Sequence, residues 1–260
     1  MDGRLSGLPE RDDRGALAAL SLADRERVLD VGCGTGELTR VLAEESPPGA
    51  TVVGVDADPS LLATARAVAP VAAGDATRLP VADGAVELAV WQALLVTLPD
   101  PAADAAVREL RRVSTDRVGA IEPDNGDVGV ESTVADEAAV EARARRAFLA
   151  GVATDVAPGE RTAERLRAAG LAGVTTRRHH HVRRTEPPYG DAAVADAART
   201  AAGGWLDDHE PTLRRALSDA AYDALRADWR AVGRAAVDQI RAGEYRKVEV
   251  VPYDVTAGRV

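Results

Sequence analysis

The stretch Val28-Leu29-Asp30-Val31-Gly32-Cys33-Gly34-Thr35-Gly36 constrains the fold more than any other part of the chain. The short apolar run from Arg27 to Val31 reads as a strand, and Glu37 to Glu45 reads as a helix. Three glycines at alternate positions join the two. Glycine lets the backbone turn sharply and lets a ligand approach with no Cβ in the way. The helix beyond offers unpaired N–H groups at its start. A tight turn that binds nothing is the competing reading of these residues.

The alternation continues downstream. Pro47-Pro48-Gly49 stops the first helix. Thr51 to Val55 predicts a second strand ending on Asp56, and Pro59 to Val68 a second helix with Pro59 in its first turn. Val71 to Ala73 predicts a weak third strand before Gly74-Asp75, and Val86 to Val90 a fourth. A helix over Ala102 to Val113 leads to a fifth strand, Val118 to Ile121, which ends on Glu122-Pro123-Asp124. Upstream, residues 8–22 read as an amphipathic helix anchored by Leu17, Leu20 and Leu22. This order predicts an α/β fold, a mostly parallel sheet with helices on both faces. Apolar residues make up 46% of the chain but aromatics only 3%, so the core must rest on Ala, Val and Leu.

The second half has another texture. Ala135 to Gly151 and Thr162 to Ala169 predict helices, and Gly173 to Thr185 is strand-like. Pro187-Pro188-Tyr189-Gly190 breaks the chain, and Asp191 to Ala242 is helical in pattern almost throughout. Trp205, Leu206, Leu213, Leu217, Leu225, Trp229, Val232 and Ile240 recur there at helical spacings, which suits a core as well as a pocket lining. A strand-like stretch, Lys247 to Val260, closes the chain. Residues 187–245 therefore read as a helical insert before the last strand, and 1–186 plus 246–260 as the main domain.

Charge and cysteine content exclude several classes. A net charge of −10 argues against a nucleic-acid backbone or an anionic membrane as the main partner. Cys33 is the single cysteine, so no disulfide within the chain and no cysteine zinc cluster is expected, and no metal site is predicted. His179-His180-His181 does not change this, because consecutive strand positions point to opposite faces. The first residues lack the basic and apolar regions of a signal peptide. No apolar run reaches the roughly 18–20 residues that span a membrane, so the cytoplasm is the expected location. A homodimer is left open.

Three acidic and glycine features point to one ligand. A dinucleotide loop would read G-x-G-x-x-G, whereas Gly32, Gly34 and Gly36 are followed at once by Glu37. A carboxylate at the mouth of the helix repels a pyrophosphate. S-adenosylmethionine has no phosphate, only a carboxylate beside an ammonium, and fits better. Asp56, about 20 residues after the loop, stands where an acidic side chain accepts ribose hydroxyls, with a helix cap as its rival role. Asp58 is the better cap candidate. Asp75 can accept an adenine amino group while the Ala76 N–H faces a ring nitrogen, or it can be a plain turn aspartate.

On these residues the chain resembles a known family. VLDVGCGTG (28–36), VVGVDADPSLLATAR (52–66), GDATRLPVADGAVELAVWQALLVTLPDP (74–101) and LRRV (110–113) are similar to the class I methyltransferases, especially the small-molecule group related to quinone C-methyltransferases. The resemblance covers residues 28–124. It implies a Rossmann-like, seven-stranded sheet whose last strand is antiparallel, with the 187–245 insert as a substrate lid. It also implies that Asp30, Gly32, Cys33, Gly34, Thr35 and Gly36 hold the methionyl part of the cofactor. Asp56 and Ala57 would then face the ribose, Leu61 or Leu62 an adenine face, and Gly74, Asp75 and Ala76 the adenine edge. Trp91 and Gln92 would form the floor near the sulfonium.

Departures from the family are specific. Val86-Glu87 stands where Phe-Asp is common, and Leu94-Leu95-Val96-Thr97 replaces the usual histidines. Glu186-Pro187-Pro188-Tyr189 is similar to a motif of nucleic-acid amine methyltransferases, but that motif belongs after the fourth strand, so here it reads as a helix stop and hinge. The expected activity is methyl transfer to a small-molecule acceptor, with C- or O-methylation favoured by the resemblance. The sulfonium is already activated, so no catalytic side chain is obligatory; the candidates are His181 and His209 as a general base, and Glu122 as a substrate-pocket residue with a salt-bridged or capping role as its rival. A non-catalytic adenosylmethionine-binding regulator is the second reading. An NAD(P)-dependent oxidoreductase is the third, weakened because the one lysine, Lys247, lies outside the sheet's ligand edge.

Overall fold

The computed structural model describes residues 11–260, with side chains from Gly15 onward. The chain forms two compact units. The first takes in residues through Asp124, Thr154–His181 and Tyr253–Val260; the second comprises Asn125–Ala153 and Val182–Pro252. The second unit therefore holds residues on both sides of 187–245, including a helix from before the predicted insert.

The first unit begins with 3-10 helices over Arg11–Leu20 and Leu22–Asp24. Leu17, Leu20 and Leu22 are buried, as the pattern of residues 8–22 predicts; residues 8–10 lie outside the described part. Then come β1 (Arg27–Val31), α1 (Glu37–Glu45), β2 (Thr51–Asp56), α2 (Pro59–Ala65), β3 (Val71–Ala73), β4 (Val86–Gln92), α3 (Asp100–Val113) and β5 (Ser114–Pro123). In this unit the strands run in the order β3-β2-β1-β4-β5, all parallel, and the last strand pairs antiparallel with β5, with Glu122 opposite Asp254.

Alternate residues of each strand serve opposite faces. Leu29, Val31, Ala89, Trp91, Val118 and Ala120 pack with Leu110 and Leu166 on one side. Val28, Val52, Leu88, Val90, Ile121 and Val255 pack with Leu20, Leu38 and Leu42 on the other. Leu20 sits so close on β5 that a Cβ at Gly119 would meet its Cδ2 at 2.3 Å. This alternation places Asp30 and Thr39 on one side of the sheet and Trp91 and Glu122 on the other.

The second unit contains β6 (Gly129–Ser132) and α4 (Glu137–Gly151). After α5 (Glu160–Ala168) in the first unit, β7 (Ala172–Thr185) leads to α6 (Asp191–Ala202), α7 (Gly204–Asp208), α8 (Glu210–Ala216) and α9 (Asp219–Ala242). The final strand, β8 (Lys247–Arg259), pairs with β6 through Lys247–Val250 and with β5 through Tyr253–Arg259. β7 also pairs with β8. Among the described residues the strands number eight, close to the expected seven, and β8 runs antiparallel to β5 as expected.

The predicted single helical run over 191–242 is four helices. Gly203 breaks it at φ 98°, and Ser218 caps α9 by accepting the Ala221 N–H. A core of Val140, Ala144, Leu206, Leu213, Tyr222, Leu225 and Trp229 fills this unit. Gly233 is where α6 and α9 meet, since a Cβ there would lie 2.3 Å from the Ala201 backbone nitrogen. Trp205 stacks on Trp229 with ring centroids 5.6 Å apart, so both tryptophans serve packing. Among the described residues no helix is long and apolar enough to cross a membrane.

Candidate functional site

The carboxyl ends of β1, β2, β4 and β5 carry the acidic and glycine residues singled out by the sequence. Gly32, Gly34 and Gly36 all take positive φ, at 73°, 54° and 91°, which explains the residue type. The Gly32 and Cys33 amides donate to the Val55 carbonyl, tying the loop to β2. The Gly34 amide donates to Asp56 Oδ2 at 2.8 Å. Asp56 Oδ1 accepts the Asp58 N–H, also at 2.8 Å. Asp56 therefore clasps the loop to the end of β2, and Asp58 caps α2 through Ser60.

Asp30 lies beneath the loop and is 1% exposed. Its Oδ2 accepts the Thr39 hydroxyl at 2.6 Å, while Oδ1 is buried without a hydrogen-bond partner. Burial pushes its pKa up to about 7, opposed by Thr39 and aided by Asp56. The loop thus carries two carboxylates and has already used its Gly34 amide on one of them. Such a seat is short of positive charge and poorly suited to a phosphate.

Cys33 faces the opposite way, into a small core with Leu62, Ala65 and Val71. A Cβ at Gly54 would meet its sulfur at 2.7 Å. Burial pushes the thiol up to about 12, so it is inert at neutral pH. Leu62 is fully buried in the same core, whereas Leu61 is 37% exposed. Of the two leucines expected at an adenine face, only Leu61 presents its side chain outward; Leu62 is a packing residue. Ala57 is exposed beside Asp56, and Thr35 is half-buried.

Asp75 forms a turn. Its Oδ1 accepts both the N–H and the hydroxyl of Thr77 at 2.8 Å, which hold its pKa below the usual carboxylate range. Gly74 is required there, because a Cβ would meet Pro80 Cδ at 2.6 Å. Ala76 is half-buried against the core.

Trp91 departs from its expected place. It is fully buried on the side of the sheet away from Asp30, and its indole N–H donates to Glu122 Oε1 at 2.6 Å. Gln92, the next residue, is half-buried. Glu122 is 2% exposed and also accepts the Leu95 N–H at 2.7 Å, while its Oε2 is buried without a partner. Burial pushes Glu122 up to about 7, with Asp155 adding to the effect.

The histidines separate. His179 stacks on Tyr253, and along β7 His179 and His181 are half-buried while His180 is exposed. His209 belongs to the second unit's core: it stacks on Trp205 at 4.6 Å and meets Phe148 edge-on. Its Nδ1 lies 2.8 Å from the Trp205 carbonyl, so its ring is held by packing. Lys247 is paired with Glu137 and Glu141. Among the described residues no cluster of three or more His, Cys, Asp or Glu could hold a metal ion.

Three contacts are not given by the sequence, although it marks Leu94 and Glu87 as departures from the family. Thr39 answers Asp30 from the next helix. Leu94 lies on the glycine loop, where a Cβ at Gly32 would meet Leu94 Cδ1 at 3.0 Å. Glu87, the departure from Phe-Asp, accepts the Glu26 and Arg27 amides at 2.8 Å and fixes the start of β1.

Comparison with known proteins agrees with this geometry. Residues 28–116 match a family described as a methyltransferase domain. An uncharacterized protein of a Streptomyces fradiae transposon is 34% identical over 103 residues, 37% of this chain and 29% of that protein. The trans-aconitate 2-methyltransferase of Escherichia coli is 41% identical over 54 residues, 21% of this chain and 21% of that enzyme. The chain spans less than a third of the length of these curated relatives. The YcgJ protein of Bacillus subtilis superposes with a TM-score of 0.52 at 16% identity, covering 96% of this chain and 98% of that one. A candidate methyltransferase of Bacillus halodurans does so at 0.52 and 15%, covering 94% and 97%. At those identities the likeness is one of fold. The order of strands and the loop held by Asp56 agree with the match of residues 28–116 to a methyltransferase domain.

Proposed function

We propose that this chain transfers a methyl group from S-adenosylmethionine to a small-molecule acceptor. The observation that carries this reading is the charge of the loop. A buried carboxylate with one unanswered oxygen, Asp30, lies under glycines whose Gly34 amide is already given to Asp56. A cationic ligand relieves that site, and a pyrophosphate aggravates it. Adenosylmethionine brings both an ammonium and a methyl-bearing sulfonium, and the latter supplies the activated methyl group.

In this reading Asp30 meets the ammonium, and Gly32, Thr35, Gly36 and the Cys33 backbone line the methionyl part. Asp56 keeps its backbone bonds and offers remaining lone pairs to the ribose hydroxyls. Leu61 covers an adenine face, with Asp75 and Ala76 at the adenine edge. An activated methyl donor leaves the protein to position the acceptor and exclude water. C- or O-methylation is favoured by the likeness of 28–124 to the quinone C-methyltransferase group.

Calorimetry with adenosylmethionine, adenosylhomocysteine and NAD tests the proposal. The first two should bind and NAD should not; the reverse pattern would sink the reading. Asp30→Ala and Asp56→Ala should each weaken adenosylmethionine by about 1.5–3 kcal/mol, the size of a lost charge-assisted contact. Conversion to adenosylhomocysteine across a panel of phenols, quinols and amines then tests transfer itself.

A further inference from the structure

The turn after β4 is held in an unusual way. Ala93 takes φ 50°, a left-handed conformation disfavoured for a residue with a Cβ. The Ala93 amide donates to the Ile121 carbonyl at 2.9 Å, and the Thr154 hydroxyl donates to the Val96 carbonyl at 2.8 Å. Between these two ties stands Glu122. Its Oε1 accepts both the Trp91 indole N–H and the Leu95 N–H. Two donors on one oxygen, from either side of Leu94, fix where Leu94 points. Leu94 points at Gly32, packed so closely that a Cβ there would be 3.0 Å from it.

We propose that Glu122 is a positioning residue, whose carboxylate holds the 93–97 turn so that Leu94 stays seated on the glycine loop and closes the methionyl seat. This rests on the cofactor reading of that loop given above. A base role for Glu122 is the competing reading. Its geometry argues otherwise: Oε1 is committed to two protein donors, and Oε2 is buried. Asp155, itself ion-paired with Arg161 at 3.0 Å, adds to the upward shift that burial gives Glu122.

Four variants and two readouts test this. Adenosylhomocysteine affinity by calorimetry should fall about tenfold in Leu94→Ala, the loss expected from uncovering part of a buried apolar contact. Glu122→Ala should fall by a similar factor, and the double variant should be little weaker than either single one, because both act through one turn. Glu122→Gln keeps an oxygen acceptor and should bind within about threefold of the wild type. The second readout is amide hydrogen exchange. Leu95 should exchange faster in Glu122→Ala but not in Glu122→Gln, with or without ligand. Unchanged affinity in Leu94→Ala would overturn the proposal, as would a Glu122→Gln protein as weak as Glu122→Ala. If Glu122→Ala does not fold, Leu94→Ala and Glu122→Gln still decide. A wild-type protein that binds no adenosylhomocysteine refutes the cofactor reading instead, while the Leu95 exchange still reports on the clamp.

Discussion

Two buried glutamates, one in each unit, meet burial in opposite ways. Glu122 is 2% exposed and Glu137 is 3% exposed. Glu137 is fully answered: the Tyr245 hydroxyl reaches its oxygens at 2.9 and 3.2 Å, and the Ser132 hydroxyl donates to Oε2. Lys247 stands 3.6 Å from Oε1 and also pairs with Glu141. Burial disfavours the Lys247 charge, yet Glu141 and Glu137 hold its pKa above the usual lysine value. Glu122 has two neutral donors on one oxygen, none on the other, and a carboxylate as its charged neighbour. A saturated buried carboxylate fastens structure. An unsaturated one at the carboxyl edge of a parallel sheet is the kind found beside ligand sites.

The largest expected effect breaks the saturated member. Glu137→Ala strips Tyr245 and Ser132 of their acceptor and leaves Lys247 with Glu141 alone. Removing one partner from a buried charged network costs about 3–5 kcal/mol, read as a fall in urea-unfolding free energy. A cost below about 1 kcal/mol would show that solvent reaches this network despite its burial.

The unsaturated member should show itself through pH. The Glu122 carboxyl titrates at about 4.5 when unfolded and at about 7 when folded. Between those values the native chain holds a proton that the unfolded chain has lost, so stability falls as pH rises through the interval. The full drop is about 3 kcal/mol for this one group. Asp30, raised from 3.8 to about 7, falls in the same direction. Unfolding measured at pH 5 and pH 8 should show the wild type weaker at pH 8. Glu122→Gln should remove the Glu122 share and Asp30→Asn the other. A wild-type stability that is flat over this range would remove the contrast between the two glutamates.

How far the sequence reached follows from what is local. The β1 loop and the strand ends at Asp56 and before Asp75 are legible as structure because glycine spacing and strand ends are short-range signals, and the alternation from β1 to β5 appears at nearly the expected residues. β6 was not legible: Gly129-Val130-Glu131-Ser132 has no apolar run and exists by pairing with β8. β5 begins four residues earlier than its apolar pattern because Val86 pairs with Ser114 across the sheet. The breaks at Gly203 and Ser218 were hidden by helical spacing that runs through them. Leu94 on Gly32 and Leu95 on Glu122 join distant segments, and Thr39 meets Asp30 across the turn between β1 and α1; periodicity gives none of these contacts. Leu62 and Trp91 mislead for a related reason: the resemblance gives a position, but not which face the side chain turns to.

The smallest expected effect tests whether burial sets the scale of the whole comparison. Arg27 donates to Glu87 Oε1 through Nε at 3.0 Å and Nη2 at 2.7 Å, but its side chain is 54% exposed. The Glu26 and Arg27 backbone amides also donate to Glu87 Oε2, and those bonds do not depend on the arginine side chain. Arg27→Ala should therefore cost no more than about 1 kcal/mol. The cost should shrink further in 1 M salt, where the screening length falls to about 3 Å. The ion pair here is geometrically better than Lys247 with Glu137, so geometry alone predicts the opposite ranking. If Arg27→Ala cost as much as Glu137→Ala, direct pairing rather than desolvation would govern both sites, and the unanswered oxygen of Glu122 would lose its meaning.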